Sequence, residues 1–382
     1  MAQWNRVPLI DYIELIGGGT PKTTVPEYWN GNIPWLSVKD FNNDKRYVYS
    51  TEKHISQSGF ENSPTKMLHK DDIIISARGT VGEIAMIPFD MAFNQSCYGI
   101  RASRGIGKPF LYYLLKNCIS QLKRMTHGSV FDTITRDTFA NIEVDIPDAE
   151  TQKRISSVLA DIDNKIEVND AINNNLQQQA ATLFKALFVD HAPFDGTMPP
   201  NWTISTLGDV TEMGAGGDKP KESSPVKTPL CPYPIYSNGI NDYGLYGYTN
   251  EPKIKVESVT VSARGTIGYV CLRHIPYVPI VRLVTLIPDT KVLSAKYLYL
   301  YLRQLHITGT GTTQQQLTVP DFRKTEIVIP DKNTMDAFTE TVTPLFEQIW
   351  ANEDENTKLA EVRDALLPKL MSGEIDVSAV QL

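Results

Sequence analysis

Residues 73–82 read IIISARGTVG, and residues 259–268 read VTVSARGTIG. In each stretch an apolar, β-branched run leads into the same Ser-Ala-Arg-Gly-Thr segment, which is the pattern of a buried strand that ends at a turn. An internal duplication decides the whole fold, because each copy is then one structural unit built on a shared framework.

The match extends to both sides of these two stretches. Trp4 recurs as Trp202, and the run FLYYLLK at 110–116 recurs as YLYLYLR at 297–303. Further along, ITRDTFANIEVDIPD pairs with LTVPDFRKTEIVIPD. The separation of matched residues falls from 198 at the tryptophans to 186 at the two turns, so loops differ in length while the framework persists.

Each copy has the layout of an α/β globule followed by a long helix. In the second helix Pro344 and Pro368 predict a kink, or else a start and an end. The expected fold class is α+β, with two similar α/β domains joined by two long antiparallel helices and an internal pseudo-two-fold repeat. The expected boundaries are 1–149 for the first globule, 150–190 for the central helix, 191–331 for the second globule and 332–382 for the last helix.

Both helices carry a heptad pattern, which is typical of helices that pack along their length. Asn169 and Asn352 hold equivalent positions, and a buried Asn fixes the register because a shifted partner leaves an amide unpaired. Arg363 interrupts the second pattern, although Val362 could take its place. Alternatively, each helix packs only on its own globule and has a solvated outer face. The residues expected on the packed faces are Ile162, Ile166, Asn169, Leu176 and Leu183, with Leu345, Ile349, Asn352, Leu359 and Leu366.

The composition is that of an ordinary folded protein, with 41% hydrophobic and 21% charged residues among 382. It excludes disorder over most of the length. No window of about 18 apolar residues is present, and the first residues do not have the pattern of a signal peptide. The four cysteines show no CxxC spacing. These features predict a cytoplasmic protein with reduced thiols and no membrane segment.

The net charge of −7 is unevenly distributed. Residues 331–382 hold 4 basic and 11 acidic residues, whereas residues 1–149 hold 16 of each. A protein that grips nucleic acid alone usually has a basic face, because phosphate contacts supply most of the affinity. Either nucleic acid is not the ligand, or partner subunits supply much of the phosphate contact. The acidic last helix is then a docking surface for a basic partner or a solvated charged face.

Catalytic motifs are missing. The segment GIGK at 105–108 lacks the leading Gly and the trailing Ser or Thr of a P-loop, and there is no HExxH and no GxSxG. A duplicated active site at the SARGT segments is disfavoured because no acid or base recurs beside them; Glu83 becomes Tyr269. The sequence therefore predicts no catalytic residue, no metal site and no cofactor on this chain.

The duplicated globule-plus-helix chain with twin SARGTxG segments resembles the specificity subunit of type I restriction–modification systems. The ending RDALLPKLMSGEI, Arg363–Ile375, looks like the signature that closes such chains. The segment TQKRISSVLADIDNKIE, Thr151–Glu167, looks like their central helix. The resemblance covers essentially the whole length, and it implies that the two globules are target recognition domains and the helices are spacers.

The resemblance also implies a non-catalytic function. Such a subunit reads a split, asymmetric sequence in double-stranded DNA, with one half per recognition domain. Two methyltransferase subunits bind its helices and methylate adenines with S-adenosylmethionine, and ATP-dependent restriction subunits convert the assembly into an endonuclease.

The loops that diverge between the copies are the best candidates for DNA contact. The segment GTGTTQQQ at 309–316 offers hydroxyls and amides, and Gln suits bidentate pairing with adenine; its counterpart is HGSVFDT at 127–133. A polar loop without DNA contact is the alternative for the first of these. Arg78 and Arg264 recur identically, which favours framework or backbone contacts over base reading. The residues expected to contact DNA are Lys22, Lys39, Arg78, Ser129, Lys219, Lys221, Arg264, Thr312, Thr313, Gln314, Gln315 and Gln316.

Two other classes of function stay open at this point. One is a scaffold or ligand-binding module that organises partners without touching DNA. The other is an enzyme with an unrecognised duplicated site. A salt-dependent gel shift on genomic fragments separates DNA recognition from both.

Overall fold

The computed structural model describes residues 4–126, 133–309 and 316–380. Tertiary contacts divide the chain into two compact units, Met1–Ala171 with Asn352–Leu382, and Ile172–Ala351. Each unit therefore combines one globule with a part of both long helices.

The two copies have the same order of elements, apart from short helices that differ. In the first copy these are β1 (Trp4–Pro8), β2 (Ile13–Gly17), β3 (Trp29–Leu36), α1 (Val38–Phe41), β4 (Lys53–Ile55), α2 (Gln57–Glu61), β5 (Met67–Leu68), β6 (Ile73–Ser76), β7 (Ile84–Met86), β8 (Met91–Phe93), β9 (Cys97–Ala102), α3 (Lys108–Thr126), α4 (Arg136–Ala140), β10 (Glu143–Pro147) and α5 (Ala149–Phe188). In the second copy they are β11 (Thr203–Thr206), α6 (Leu207–Val210), β12 (Thr211–Ala215), β13 (Ser223–Ser224), β14 (Tyr233–Tyr236), β15 (Leu245–Thr249), β16 (Ser258–Val261), β17 (Val270–Arg273), β18 (Val278–Pro279), β19 (Val284–Pro288), α7 (Ala295–Gln304), α8 (Val319–Phe322), β20 (Glu326–Ile329) and α9 (Lys332–Met371).

The main sheet and a short ribbon repeat in both units, while the second sheet repeats only in part. In the first unit a four-stranded antiparallel sheet has the order β2-β9-β6-β7, and in the second unit the order β12-β19-β16-β17 is its counterpart. A second, mixed sheet in each unit contains one parallel pair, β3 with β8 or β14 with β18. A two-stranded ribbon, β1 with β10 or β11 with β20, completes each globule. The α+β fold class and the internal repeat expected from the sequence are confirmed.

Strand β6 shows why the quoted segment is apolar throughout. Ile73 and Ile75 face the core formed with α3, while Ile74 faces the core formed with the second sheet. All three side chains are buried, because this sheet is covered on both faces. The strand then ends at Ser76, and the repeated turn follows at the edge of the sheet.

Within the first unit the start of α5 packs against the end of α9 in an antiparallel manner. Asn169 Nδ2 donates to Asn356 Oδ1 at 2.9 Å, and Asp163 accepts from Arg363 at 3.0 Å. The last turn of α9 joins the core of the first globule, and Gly373 lies against the Trp4 indole. This packing explains the apolar character of the C-terminal signature.

Within the second unit the end of α5 packs against the start of α9, again antiparallel. Asn173 Nδ2 donates to the Ile349 carbonyl at 3.4 Å, and the rings of Phe184 and Phe338 lie 6.0 Å apart. Phe188 packs on Trp202 with ring centroids at 5.5 Å. In both units the repeated tryptophan therefore packs against the end of a long helix, Trp4 at the end of α9 and Trp202 at the end of α5.

The burial of the expected packed faces is mixed. Asn169, Ile349 and Asn352 are buried, Leu183 is exposed, and its neighbour Phe184 is only 1% exposed. Partial burial is found for Ile162, Ile166, Leu176, Leu345, Leu359 and Leu366.

The sequence left two points about α9 open. The helix runs without a break from Lys332 to Met371 and contains both prolines, so neither proline marks a start or an end of the helix. Pro344 leaves the carbonyl of exposed Glu340 without a helical partner, and water can satisfy it. The residue buried at the heptad position is Arg363 and not Val362, since Arg363 is 3% exposed and Val362 is 49% exposed.

Arg363 is buried because it is surrounded by acceptors. Its guanidinium donates to Asp163 at 3.0 Å, to Asp44 at 2.7 Å and to Asp364 at 2.8 Å. The Tyr113 hydroxyl donates to the other oxygen of Asp163 at 2.6 Å. The break in the heptad pattern is therefore a buried polar cluster within the first unit.

Candidate nucleic-acid interface

Three turns meet at one edge of the first globule. The glycine turn, Gly18–Gly19, follows β2; the crossing turn, Asn94–Cys97, connects β8 to β9; and the SARGT turn, 76–80, follows β6. Gly19 N donates to the Phe93 carbonyl at 3.0 Å, and the amides of Ala77 and Arg78 both donate to the Ser96 carbonyl. We call this edge the turn edge.

The second globule has the same turn edge. Its glycine turn is Gly216–Gly217, its crossing turn is Ile280–Leu283, and its SARGT turn is 262–266. Both SARGT turns close in the same way, since Gly82 N donates to Ser76 O at 2.9 Å and Gly268 N donates to Ser262 O at 3.0 Å. The repeated sequence therefore has a repeated conformation.

The glycine turns are required by close backbone approach. A β-carbon at Gly18 would lie 2.0 Å from Asn94 O, and one at Gly216 would lie 2.7 Å from Ile280 O. In both copies the glycine turn thus lies directly on the crossing turn. A side chain there would push the two turns apart.

We expect Gly18→Ala to lower the free energy of unfolding by about 1–3 kcal/mol, because the clash involves backbone atoms that must shift. The matched control is Gly17→Ala, since no atom lies within 4 Å of a β-carbon there and the second copy already has Ala215 at this position. Urea unfolding of the two variants checks the prediction. Equal midpoints for both would contradict it.

Several expected DNA-contacting cations lie at the turn edges. Arg78 is exposed in the first SARGT turn, and Lys22 is exposed just after the first glycine turn. In the second copy Arg264 donates to Gln316 Oε1 at 3.0 Å, and Lys219 lies 5.1 Å from the ring centre of Tyr246. None of these four cations forms an ion pair with a carboxylate of the described residues, so within that part of the chain their charge is uncompensated.

The divergent loops reach the described part of the chain at these same turns. Ile134 N donates to Ala77 O, and Leu317 N donates to Ala263 O, both at 3.0 Å. Gln316 is partly buried. The other expected contacts in these loops lie outside the described residues, namely Ser129, Thr312, Thr313, Gln314 and Gln315.

Two expected lysines lie further away from the turns. Lys39 is exposed on α1, which begins two residues after Leu36, and the Leu36 carbonyl accepts from Asn94 N at 3.0 Å. Lys221 is exposed before β13, in a segment next to Thr249. The structure therefore brings Lys22, Arg78, Lys219 and Arg264 to turn edges more directly than it does Lys221.

The crossing turns were missed in the sequence. Gln95 and Ser96 in the first copy correspond to Val281 and Arg282 in the second, at the same separation of 186 as the SARGT turns. The signal in the sequence is that the side chains at these matched positions differ in chemistry, although their separation along the chain is the same as that of the SARGT turns. Gln95 and Arg282 are both exposed.

The crossing turn of the first globule ends at a buried cysteine. Cys97 is 2% exposed, and burial together with the charge of Asp40 raises the pKa of its thiol to about 12, so the thiol is protonated at neutral pH.

Among residues 4–126, 133–309 and 316–380, no three His, Cys, Asp or Glu side chains are arranged to hold a metal ion. No helix in that part of the chain is long and apolar enough to span a membrane.

The chain contains two copies of one α/β domain. Each copy has the same turn edge and is followed by a long helix, so the protein is an internally duplicated α+β protein. The chain belongs to the type I restriction modification DNA specificity family, whose domain model matches residues 1–178 and again residues 199–361. The family resemblance seen in the sequence is therefore confirmed.

Individual relatives cover most of the chain. It is 28% identical to the MjaIX type I restriction enzyme specificity subunit of Methanocaldococcus jannaschii, over 98% of this chain and 94% of that one. It is 26% identical to the HindI specificity subunit of Haemophilus influenzae, over 70% of this chain and 77% of that one. The crystal structure of the S subunit of a type I restriction–modification system from M. genitalium has the same fold, with a TM-score of 0.58 over 97% of this chain and 96% of that one at 16% identity.

Proposed function

We propose that this chain reads a split, asymmetric sequence in double-stranded DNA for a type I restriction–modification complex. In this proposal 1–149 and 191–331 are the two target recognition domains, and 150–190 and 332–382 are the spacers. Two methyltransferase subunits and the restriction subunits are the partners, and they carry the catalysis. The chain itself holds no cofactor.

The observation that carries the proposal is a constant framework with variable contact groups. Both turn edges have the same SARGT conformation and the same glycine contact on the crossing turn. The side chains on that framework differ, since Gln95 and Ser96 in the first copy correspond to Val281 and Arg282 in the second. A repeated scaffold with different surface groups is suited to reading two unrelated half-sites.

Phosphate contacts are supported by charge. Arg78 and Arg264 stand at equivalent positions, are exposed, and lack ion pairs to described carboxylates. A framework cation that is identical in both copies suits the phosphate backbone, which is the same for every sequence. The divergent residues around it are then available for base edges.

Docking of the partner subunits is supported by the helix surfaces. Val168 on α5 and Val362 on α9 are 53% and 49% exposed, and neither is part of the apolar core of the first unit. The acidic residues of α9 add a surface for basic side chains. We therefore place the methyltransferase contacts on the two spacers.

The test is to sequence modified bases in a host strain that lacks the gene and in the same strain with the gene restored. We expect methylated adenines in one bipartite, asymmetric motif that depends on this chain. The complex purified from the restored strain should bind that motif, with a logarithm of the binding constant that falls linearly with the logarithm of salt concentration.

Two results would contradict the proposal. If the methylation pattern is the same in both strains, the chain does not direct methylation. If the purified chain brings down partners but no salt-dependent binding to genomic fragments is seen, it is a scaffold without DNA contact.

A further inference from the structure

The crossing turn of the second domain has a backbone conformation that its residues disfavour. The φ angles of Val281 and Arg282 are 53° and 62°. Leu283 N donates to Ile280 O at 3.0 Å, which closes a four-residue turn around these two residues. Turns with positive φ at both central positions usually contain Asn-Gly. A β-branched residue there is strained, because its side chain crowds the backbone.

The surrounding backbone holds this turn rigidly. Val281 N donates to Gly217 O at 2.9 Å, and Arg282 N donates to Gly216 O at 2.8 Å. Asn238 Nδ2 donates to Val281 O at 2.6 Å, and its Oδ1 accepts from Ala263 N of the SARGT turn at 2.7 Å. Asn238 therefore ties the crossing turn to the SARGT turn.

The side chains of the turn contribute little to the fold. Val281 is 50% exposed, and Arg282 is exposed without an ion pair to any described carboxylate. Asn-Gly at these two positions would make the folded state more stable, because these residues adopt positive φ angles more readily. Strained residues that the fold does not need are found mainly where a ligand is contacted.

The first domain has an unstrained counterpart. There Cys97 N donates to Asn94 O at 3.4 Å around Gln95 and Ser96, neither of which has a positive φ. The Thr20 hydroxyl, from the segment after the glycine turn, donates to Gln95 Oε1. The position of the turn is therefore shared, while its side chains and its backbone conformation are specific to each domain.

We propose that the turn Ile280–Leu283 is a base-reading element of the second domain, in which Arg282 pairs with O6 and N7 of a guanine in the major groove. This inference rests on the proposed function and names residues of that same site. A planar guanidinium matches the two guanine acceptors, and a rigid turn lowers the cost of placing it. Flexible lysines such as Lys219 suit the phosphates.

The test uses the methylation complex with the full chain. In the host, Arg282→Ala should make one guanine position of one half-site degenerate, while the other half-site stays unchanged. With the purified complex, discrimination at that position should fall roughly 5- to 150-fold, which corresponds to about 1–3 kcal/mol. Arg282→Lys should keep only part of the discrimination, because a flexible ammonium group lacks the planar pair of parallel donors.

A second variant separates recognition from folding. Val281→Asn combined with Arg282→Gly provides the residues that the turn conformation favours, so Tm should rise while the same guanine position becomes degenerate. The control is Lys291→Ala, an exposed cation three residues beyond the far end of β19, and it should leave the motif unchanged.

The outcomes distinguish this inference from the proposed function. If Arg282→Ala keeps the base preference of the wild type at every position, the inference is wrong while the proposed function stands. If binding weakens equally on all sequences and the salt slope falls by about one, Arg282 contacts a phosphate and the base assignment is wrong. If Tm falls in the double variant, the strain argument fails. If the wild type directs no motif at all, the proposed function fails first and this inference fails with it.

Discussion

Arg363→Met should lower the free energy of unfolding by about 3–5 kcal/mol, because it leaves a buried carboxylate without its cation. Asp163 is 4% exposed, and its two oxygens accept from Arg363 at 3.0 Å and from Tyr113 at 2.6 Å. When the guanidinium is lost, Asp44 keeps the ammonium group of Lys116 at 2.8 Å, and the side chain of Asp364 is 60% exposed to solvent. Urea unfolding measures the loss.

The second unit suggests how to restore the stability. By the separation of the two helices, 183 residues, Asp163 corresponds to Phe346 and Arg363 to Ala180, and both of these are buried. An apolar pair therefore fits the same position of the repeat. Asp163→Leu with Arg363→Met, made together with Tyr113→Phe so that no hydroxyl is left unpaired, should recover most of the loss. If this triple variant is no more stable than the single one, the loss does not come from an unpaired charge.

The same cluster makes stability depend on pH. Burial raises the pKa of Asp44, but Lys116 and Arg363 outweigh it, so the pKa lies below its ordinary value. A lowered pKa in the folded state contributes stability above the unfolded value, about 3.9, and this contribution is lost as the pH falls through the folded value. As the pH falls below about 4, we therefore expect the wild type to lose more stability than Arg363→Met does. Parallel losses would contradict this assignment.

Phe184→Ala should destabilise the second unit by about 3–5 kcal/mol through the cavity that it leaves. The Phe184 ring is 1% exposed and lies 5.2 Å from Phe188, 5.4 Å from Tyr297 and 6.0 Å from Phe338, measured between ring centres. These aromatic residues come from both long helices and from α7. Loss of the Phe184 ring therefore removes a contact of α5 with α7 and a contact of α5 with α9.

The matched control is the preceding residue. Leu183→Ala changes an apolar side chain on the same helix turn, but Leu183 is 36% exposed, so its truncation should cost less than about 1 kcal/mol. Thermal unfolding of both variants, compared with the wild type, decides between the two residues. A larger loss for Leu183→Ala would mean that the helix presents the other residue to its partner.

Much of the architecture was predictable from repetition. Two apolar strands that lead into SARGTxG, the repeated tryptophan and the two long heptad segments indicated the duplicated α+β fold. They succeed because strands and helices follow local periodicities of 2 and 3.6 residues, which a sequence displays directly. The cations of the SARGT turns were also visible, since a turn after a buried strand exposes its side chains.

The crossing turns were not predictable in the same way. Val281 and Arg282 stand in a sequence, PIVRLV, that has none of the Asn or Gly residues that mark such a turn. Their conformation depends on hydrogen bonds to Gly216 and Gly217, some 65 residues earlier in the chain. Local propensity cannot register a contact of this kind.

The sequence by itself thus determined the duplication, the layout of a globule followed by a long helix in each copy, the turn after each central strand and the family. Only the tertiary structure decided which side of each periodic pattern is buried. Successive residues of a helix point about 100° apart, so Leu183 and Phe184 both border the apolar stripe, and the partner's aromatic rings select Phe184. In the same way Arg363 breaks a heptad pattern in the sequence, yet it is buried because Asp163, 200 residues away, supplies the opposite charge.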